Sequence, residues 1–295
     1  MRVLVTGGHG YLGGAVCQSL HAAGHDVTVL SRGTGVDIRD RASVAGAVGA
    51  ARPDAVCHLA ALTRARDSFA DPLGYFDVNV GGTLNLLLAL DGPVPFVLAS
   101  SSIVYGGRHT GALTEDLPVR PESPYAASKV AAEQLVAAHA ATGAVGAVIL
   151  RCFNISGAVG GVGDTDTTRI IPNVLRAVTG ELPHVTLNGD GSATRDFVHV
   201  ADVARAVVAA IAKAEPGSSH TYNLGSGAGT SMAAIVEAAG RVTGKRVPVR
   251  HDPPKPEPPH LIADISRARA GLGWDPAYST PDRILTDAWA AWTAP

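Results

Sequence analysis

Cysteine is scarce in this 295-residue chain, and its three copies, Cys17, Cys57 and Cys152, stand far apart. An odd, dispersed set offers neither a disulfide framework nor a metal-ligand spacing, which points to a reducing compartment and to no bound metal. An excess of either charge is missing too: 24 Lys and Arg face 26 Asp and Glu, scattered rather than in blocks. A nucleic-acid surface and a polybasic membrane patch are therefore not expected. No apolar run approaches the roughly 18 uncharged residues of a membrane helix. Met1 leads almost at once into a strand-like run, leaving no room for a signal peptide, so a soluble cytoplasmic protein is expected.

What the chain does have is 46% hydrophobic residues, enough to bury the core of one large or two modest domains. It also has 34 glycines, where ordinary usage of about 7% would give roughly 20. Several of them open the chain. Arg2 to Thr6 is a β-branched run, Gly7-Gly8-His9-Gly10-Tyr11-Leu12-Gly13 follows, and Gly14 to Ala23 carries apolar residues on one helical face. With Val27 to Leu30 as a second strand this is a βαβ unit of about thirty residues. Its G-x-x-G-x-x-G spacing suits a tight turn at Gly7, close approach of backbone to a pyrophosphate at Gly10, and helix-on-strand packing at Gly13.

The end of the second strand normally carries a carboxylate for the adenosine ribose of NAD. Here Ser31 and Arg32 stand there. A guanidinium suits a 2′-phosphate and tilts the reading from NAD toward NADP, the alternative being a solvated loop arginine beside NAD. Asp37 is an adenine-contact candidate or the cap of the next helix.

Farther on, Ala55–Leu59, Pro93–Leu98 and Ala147–Leu150 read as buried strands alternating with helices over 80–90 and 125–141. The fold class expected is α/β: a Rossmann-type doubly wound parallel sheet over 1–153, with returning elements around 190–215. A smaller α/β substrate-binding domain over 154–295 would include a helix from Ile170 to Thr179 and a proline-rich run from Pro253 to Pro259.

Tyr125 and Lys129 lie four residues apart on the long helix, one turn from each other on one face. A phenol with an ordinary pKa near 10 becomes a proton carrier if a nearby ammonium and an oxidised nicotinamide favour its phenolate. Ser100-Ser101-Ser102 follows the strand ending at Ala99, where an open α/β sheet meets its ligand. His9 and His58 read as loop filling and as a satisfied buried ring.

Taken in order, Thr6 to Gly13, Ser100-Ser101-Ser102-Ile103-Val104-Tyr105-Gly106, Tyr125 to Lys129, Arg195-Asp196-Phe197-Val198-His199-Val200 and Tyr222-Asn223-Leu224-Gly225 resemble the extended short-chain dehydrogenases/reductases. Within them the chain is most similar to the UDP-glucose 4-epimerases and related nucleotide-sugar enzymes, over essentially its whole length. The resemblance implies Tyr125 as acid/base, Lys129 on the nicotinamide ribose, and Ser101, with Ser102 as the neighbouring alternative, on the reacting hydroxyl. It implies a cofactor site of Gly7, Gly10, Tyr11, Leu12, Gly13, Ser31, Arg32, Asp37, Ile38, Leu59, Ala60, Ala61, Asn79, Ala99, Tyr125 and Lys129. Asn79 also reads as an ordinary helix cap.

Asn154, Arg195 and Lys255 would grip the substrate diphosphate, Arg195 alternatively pairing with Asp196. In the family an arginine usually stands in the proline-rich loop, where this chain has Lys255 and no glycine after Pro256. The segment between the second strand and Asp37-Ile38 is shorter than in the resembling epimerases. A homodimer through the helices over 80–90 and 125–141 is implied as well.

Dehydratases of the family carry an acidic pair where this chain has Ser102 and Ile103, so elimination of water is disfavoured. Nucleotide-sugar 4-epimerisation, with tightly held NAD(P) and a 4-keto intermediate, needs only the groups present. The alternatives are NADPH-dependent reduction of a 4-keto sugar and a scaffold that kept the fold without the chemistry.

Overall fold

The computed structural model describes residues 1–255 and 260–294. Six parallel strands form the central sheet, in spatial order Ser219–Leu224, Val145–Cys152, Val94–Ser101, Ala55–His58, Arg2–Thr6 and Asp26–Leu30. Strand alternation splits the core in two. Val3 and Val5 point to one face and pack with Ala15, Val16 and Leu20 of helix Tyr11–Ala22 and with Val203 and Val207 of helix Val200–Ile211. Leu4 points to the other, among Val44 and Val48, Leu86 and Leu87, and Val136. These belong to helices Arg41–Ala51, Gly82–Ala89 and Pro124–Ala140. Helices on both faces of a parallel sheet make this the doubly wound, Rossmann-type arrangement expected from the sequence.

Two details differ from the sequence reading. The returning elements are the helix Val200–Ile211 and the edge strand Ser219–Leu224, later than 190–215. Thr194–His199 instead pairs with Asn154–Ser156, Gly229–Ser231 and His260–Leu261 in a separate small sheet. The helix expected over 80–90 is the last part of a longer run, Pro72–Phe76 followed by a wider π-helical turn at Asp77–Gly81 and then Gly82–Ala89.

A third core, built from Ile171, Val174, Leu175, Ile235, Ile284 and Leu285, joins helices Ile170–Thr179, Met232–Thr243 and Pro281–Trp292. This second layer stands over the carboxyl ends of the central strands, and a cavity of about 1510 Å³ lies between. No described helix is long and apolar enough to cross a membrane.

Candidate active site

The first strand turns into its helix on three glycines. Gly7 has φ +72°, and a Cβ there would sit 2.9 Å from the backbone of Ala60. A Cβ on Gly13 would lie 2.1 Å from the Gly7 carbonyl oxygen, so the helix can seat against the strand end only without a side chain at 13. Gly10 is the N-cap, and the turn holds through Gly10 N–H to the Gly7 carbonyl at 2.9 Å. The helix begins with no acidic residue in its first turn, leaving its N–H groups and positive dipole end at the cavity. This cradle fits the pyrophosphate of a dinucleotide.

Gly7, Gly10, Tyr11, Leu12 and Gly13 line the cavity, together with Ser31, Arg32, Asp37, Ile38, Leu59, Ala60, Ala61 and Ala99. Asp37 does not cap a helix: its carboxylate takes three hydrogen bonds from the Arg39 guanidinium and one from the Arg39 N–H. These bonds bring its pKa down to about 2, and Asp40 caps the helix Arg41–Ala51 instead. Asn79 is buried and does not line the cavity. It sits inside the π-helical turn rather than at a cap, accepting from Leu62 N–H at 2.8 Å and donating to the Leu62 carbonyl at 3.0 Å and to Ser128 Oγ at 2.9 Å. Leu62 does line the cavity, so Asn79 shapes that wall from behind. His58 is the satisfied buried ring expected, held between Thr6 Oγ1 at 2.7 Å and Thr83 Oγ1 at 2.8 Å, and burial brings its pKa down to about 3.

Tyr125, Lys129, Ser101 and Ser102 all line the cavity. Ser123 caps their helix by accepting from Ala126 N–H at 3.1 Å, and Pro124 occupies its first position, which fixes where Tyr125 leaves the helix. Within the serine run Ser101 carries the hydroxyl in hydrogen-bonding reach of the phenol, while Ser100 turns back to donate to buried Glu133. Lys129 is buried, and its ammonium donates to the Ala99 carbonyl at 2.6 Å.

Burial pushes Tyr125 up to about 12, opposed by the hydrogen bond with Ser101 and by the positive charge of Arg169. Burial also brings Lys129 down to about 8, partly opposed by the charge of Glu133 one helical turn on. Glu133 is itself clamped by Arg151, with Nη2 to Oε2 at 2.7 Å and Nε to both oxygens at 3.1 and 3.2 Å. Arg151 Nη1 reaches Tyr105 Oη at 3.0 Å, and Tyr105 donates to Asn223 Oδ1 at 2.7 Å. A buried polar chain thus backs the wall that presents Ser101 and Lys129.

Asn154, Arg195 and Lys255 line the cavity as well. Asn154 Nδ2 is anchored on the Asp196 carbonyl at 2.9 Å. Arg195 and Asp196 are successive strand residues with opposite facing. Asp196 is fully buried and accepts from Ser226 N–H and Oγ, Gly227 N–H and Ala263 N–H, so the alternative of an Arg195–Asp196 ion pair is not the arrangement formed. The part of the proline-rich run from Pro256 to Pro259 lies outside the described residues.

Sequence reasoning missed Arg169, Cys152 and His184, which also line the cavity. Arg169 starts helix Ile170–Thr179 and pairs with Asp164 at 3.1 Å and Asp166 at 3.6 Å. The clustered charges Asp164, Asp166 and Arg169 were the signal available. Among the described residues no group of three or more His, Cys, Asp or Glu can hold a metal ion.

The profile of the NAD dependent epimerase/dehydratase family matches residues 3–225. The UDP-glucose 4-epimerase of Streptomyces lividans is 36% identical, over 98% of this chain and 95% of its own. Among solved structures, the UDP-glucose 4-epimerase of Brucella ovis in complex with NAD superposes with a TM-score of 0.92 at 33% identity, covering 97% of each chain. That of Stenotrophomonas maltophila, with bound NAD and formylated UDP-arabinopyranose, does so at 0.91 and 33% identity, covering 98% of this chain and 97% of that one. The chain belongs to the NAD dependent epimerase/dehydratase family.

Proposed function

We propose that this protein is an NAD-dependent nucleotide-sugar 4-epimerase. The observation that carries the reading is that Ser101, Tyr125 and Lys129 line the same cavity as the three-glycine cradle, with the Ser101 hydroxyl in hydrogen-bonding reach of the phenol. When bound, the nicotinamide supplies a hydride acceptor and donor at the sugar carbon and a positive ring in its oxidised form.

Tyr125 takes the proton of the sugar 4-hydroxyl and returns it to the 4-keto sugar once that has turned over. At a pKa of about 12 the phenol holds its proton at neutral pH, so positive charge must gather beside it before it can act as base. The charge of Arg169 is already part of that value, and the oxidised nicotinamide ring would supply more when bound. Ser101 aligns the reacting hydroxyl with the phenol, Ser102 being its neighbour on the wall. Lys129 is mostly charged at neutral pH and has one of its three N–H donors fixed on Ala99, so the others remain for the nicotinamide ribose. Asn154, Arg195 and Lys255 take the substrate diphosphate, an amide and two cations for two anionic groups. Ile103 lines the cavity with a side chain that carries no proton, which fits epimerisation rather than dehydration.

NAD is the cofactor favoured. Both solved relatives named above hold NAD, and the tilt toward NADP drawn from Arg32 finds no support in them. Asp37, ionised on the same rim within range of the Arg32 charge, would repel a 2′-phosphate. In this reading residues 1–153, with the returning elements, bind the dinucleotide, and 154–295 mainly bind substrate.

The protein works as a homodimer. Leu73, Phe76, Leu84 and Leu88 are 79, 38, 43 and 51% exposed along one helical run, an apolar patch that a second copy would cover. Three free thiols fit a cytoplasmic location. The test is to incubate the purified protein with UDP-glucose or UDP-galactose and no added nicotinamide nucleotide. Interconversion supports the reading, and turnover only with stoichiometric NADPH would replace it by reduction.

A further inference from the structure

His9 is the one side chain of the glycine loop that the turn itself does not require. Its Nδ1 lies 2.9 Å from Ser31 Oγ, where the parallel strands Arg2–Thr6 and Asp26–Leu30 run out side by side. A Cβ on Gly33 would lie 2.7 Å from that nitrogen, so the turn after Ser31 closes over the ring only because position 33 has no side chain. Ser31 is held rigidly: its N–H donates to Thr34 Oγ1 at 3.0 Å. Its carbonyl accepts from Thr34 Oγ1 at 2.8 Å and from the N–H groups of Thr34 and Val36 at 3.0 Å each. His9, Ser31, Arg32 and Gly33 line the cavity together with the glycine cradle.

In a βαβ dinucleotide site the end of the second strand meets the adenosine ribose, normally with a carboxylate that only accepts hydrogen bonds. A lone serine hydroxyl rotates and gives no fixed polarity. Once its O–H is committed to an imidazole nitrogen, its oxygen has only lone pairs left to offer, as a carboxylate does. In the neutral ring whose Nδ1 accepts, Nε2 carries the proton and is a donor. One fixed acceptor and one donor then stand where the acid is missing.

We propose that His9 and Ser31 together form the adenosine-ribose reader of the dinucleotide site, Ser31 Oγ accepting from one ribose hydroxyl and His9 orienting it and donating to the other. This rests on the dinucleotide reading of the cavity. It also accounts for the short turn from Ser31 to Asp37, which is what brings Gly33 onto the ring.

The test is equilibrium competition at the site of the full-length protein between NADH, read by its fluorescence, and its adenosine 2′-deoxy and 3′-deoxy analogues. It compares wild type with His9→Ala and Ser31→Ala, and with Lys213→Ala, exposed and outside the cavity, as control. In wild type the loss of a ribose hydroxyl is expected to weaken binding roughly ten-fold for at least one analogue, the worth of one hydrogen bond. In His9→Ala and in Ser31→Ala that penalty shrinks to about two-fold or less, and in Lys213→Ala it stays. Melting curves check that the variants, changed at exposed or half-buried positions, remain folded. A penalty unchanged in both variants overturns the assignment alone, whereas a wild type that neither binds NADH nor releases a nicotinamide nucleotide on denaturation overturns the dinucleotide reading and this assignment with it.

Discussion

Replacing Arg151 by Met is the perturbation whose cost the structure fixes most tightly. The side chains of Arg151 and Glu133 are 9 and 7% exposed, and the guanidinium makes the bidentate clamp described above while also lying 4.9 Å from the centre of the Tyr105 ring. Methionine keeps most of the apolar length and removes every donor. The Glu133 carboxylate is then left buried with the Ser100 hydroxyl as its remaining partner of those named. Stranding one half of a buried pair costs roughly 3–5 kcal/mol, whereas neutralising both halves costs far less. At about 2–4 °C per kcal/mol, Arg151→Met should melt roughly 6–20 °C below wild type. The double variant Glu133→Gln/Arg151→Met should recover at least half of that loss. Thermal and urea denaturation of the three proteins give the comparison. A single variant within about 1 kcal/mol of wild type, or a double variant no better than the single, refutes the reasoning.

Tyr125→Phe should lower kcat by about 10²–10⁴-fold, the ordinary worth of a positioned proton carrier, with nucleotide affinity kept. Stopped-flow and equilibrium binding separate the two, and a full-speed variant would remove the phenol from the chemistry. Lys129 gives a pH signature in stability. With its pKa near 8 in the native protein and 10.5 when unfolded, the unfolded chain binds the extra proton between those values, so this residue adds stability as pH rises through that window. Relative to Lys129→Met, wild type should gain on the order of 2–3 kcal/mol between pH 7.5 and 10.5 in urea titrations. A constant difference would place the ammonium in water instead. Leu73→Glu/Leu88→Glu should convert a dimer to a monomer in sedimentation, and a wild type that sediments as a monomer would contradict the role given to that patch.

Local spacing made much of this legible before any coordinates. A strand, a glycine turn and a helix in one short stretch leave little freedom of topology, and the four-residue step from Tyr125 to Lys129 needs only helical geometry. Which serine meets the phenol follows from the strand running on to Ser101, two residues past the expected end, so that alternation sends Ser100 toward Glu133 and Ser101 toward the cavity. The misses are long-range. Asn79 reads as a cap until Asp77–Gly81 is seen as a widened turn inside a helix that continues on both sides. The phenol's high pKa depends on burial, which is not a property of spacing. Glu133 and Arg151 are 18 residues apart and meet only because the helix of Glu133 packs on the strand of Arg151, which pairs with the strand of Ser100. The pairing of Thr194–His199 outside the main sheet, and the return of Ser219–Leu224 to its edge, are choices of partner that short apolar runs do not encode.

The most direct measurement of the central claim uses a UDP-hexose carrying deuterium at C4 of the sugar, incubated in ordinary water without added nucleotide. If Tyr125 moves only the hydroxyl proton while the carbon-bound hydrogen is lent and returned within one turnover, the C4-epimeric product keeps its deuterium and no reduced nucleotide accumulates. Product in which C4 has exchanged with solvent hydrogen, or deuterium appearing stoichiometrically in released nucleotide, would contradict the account.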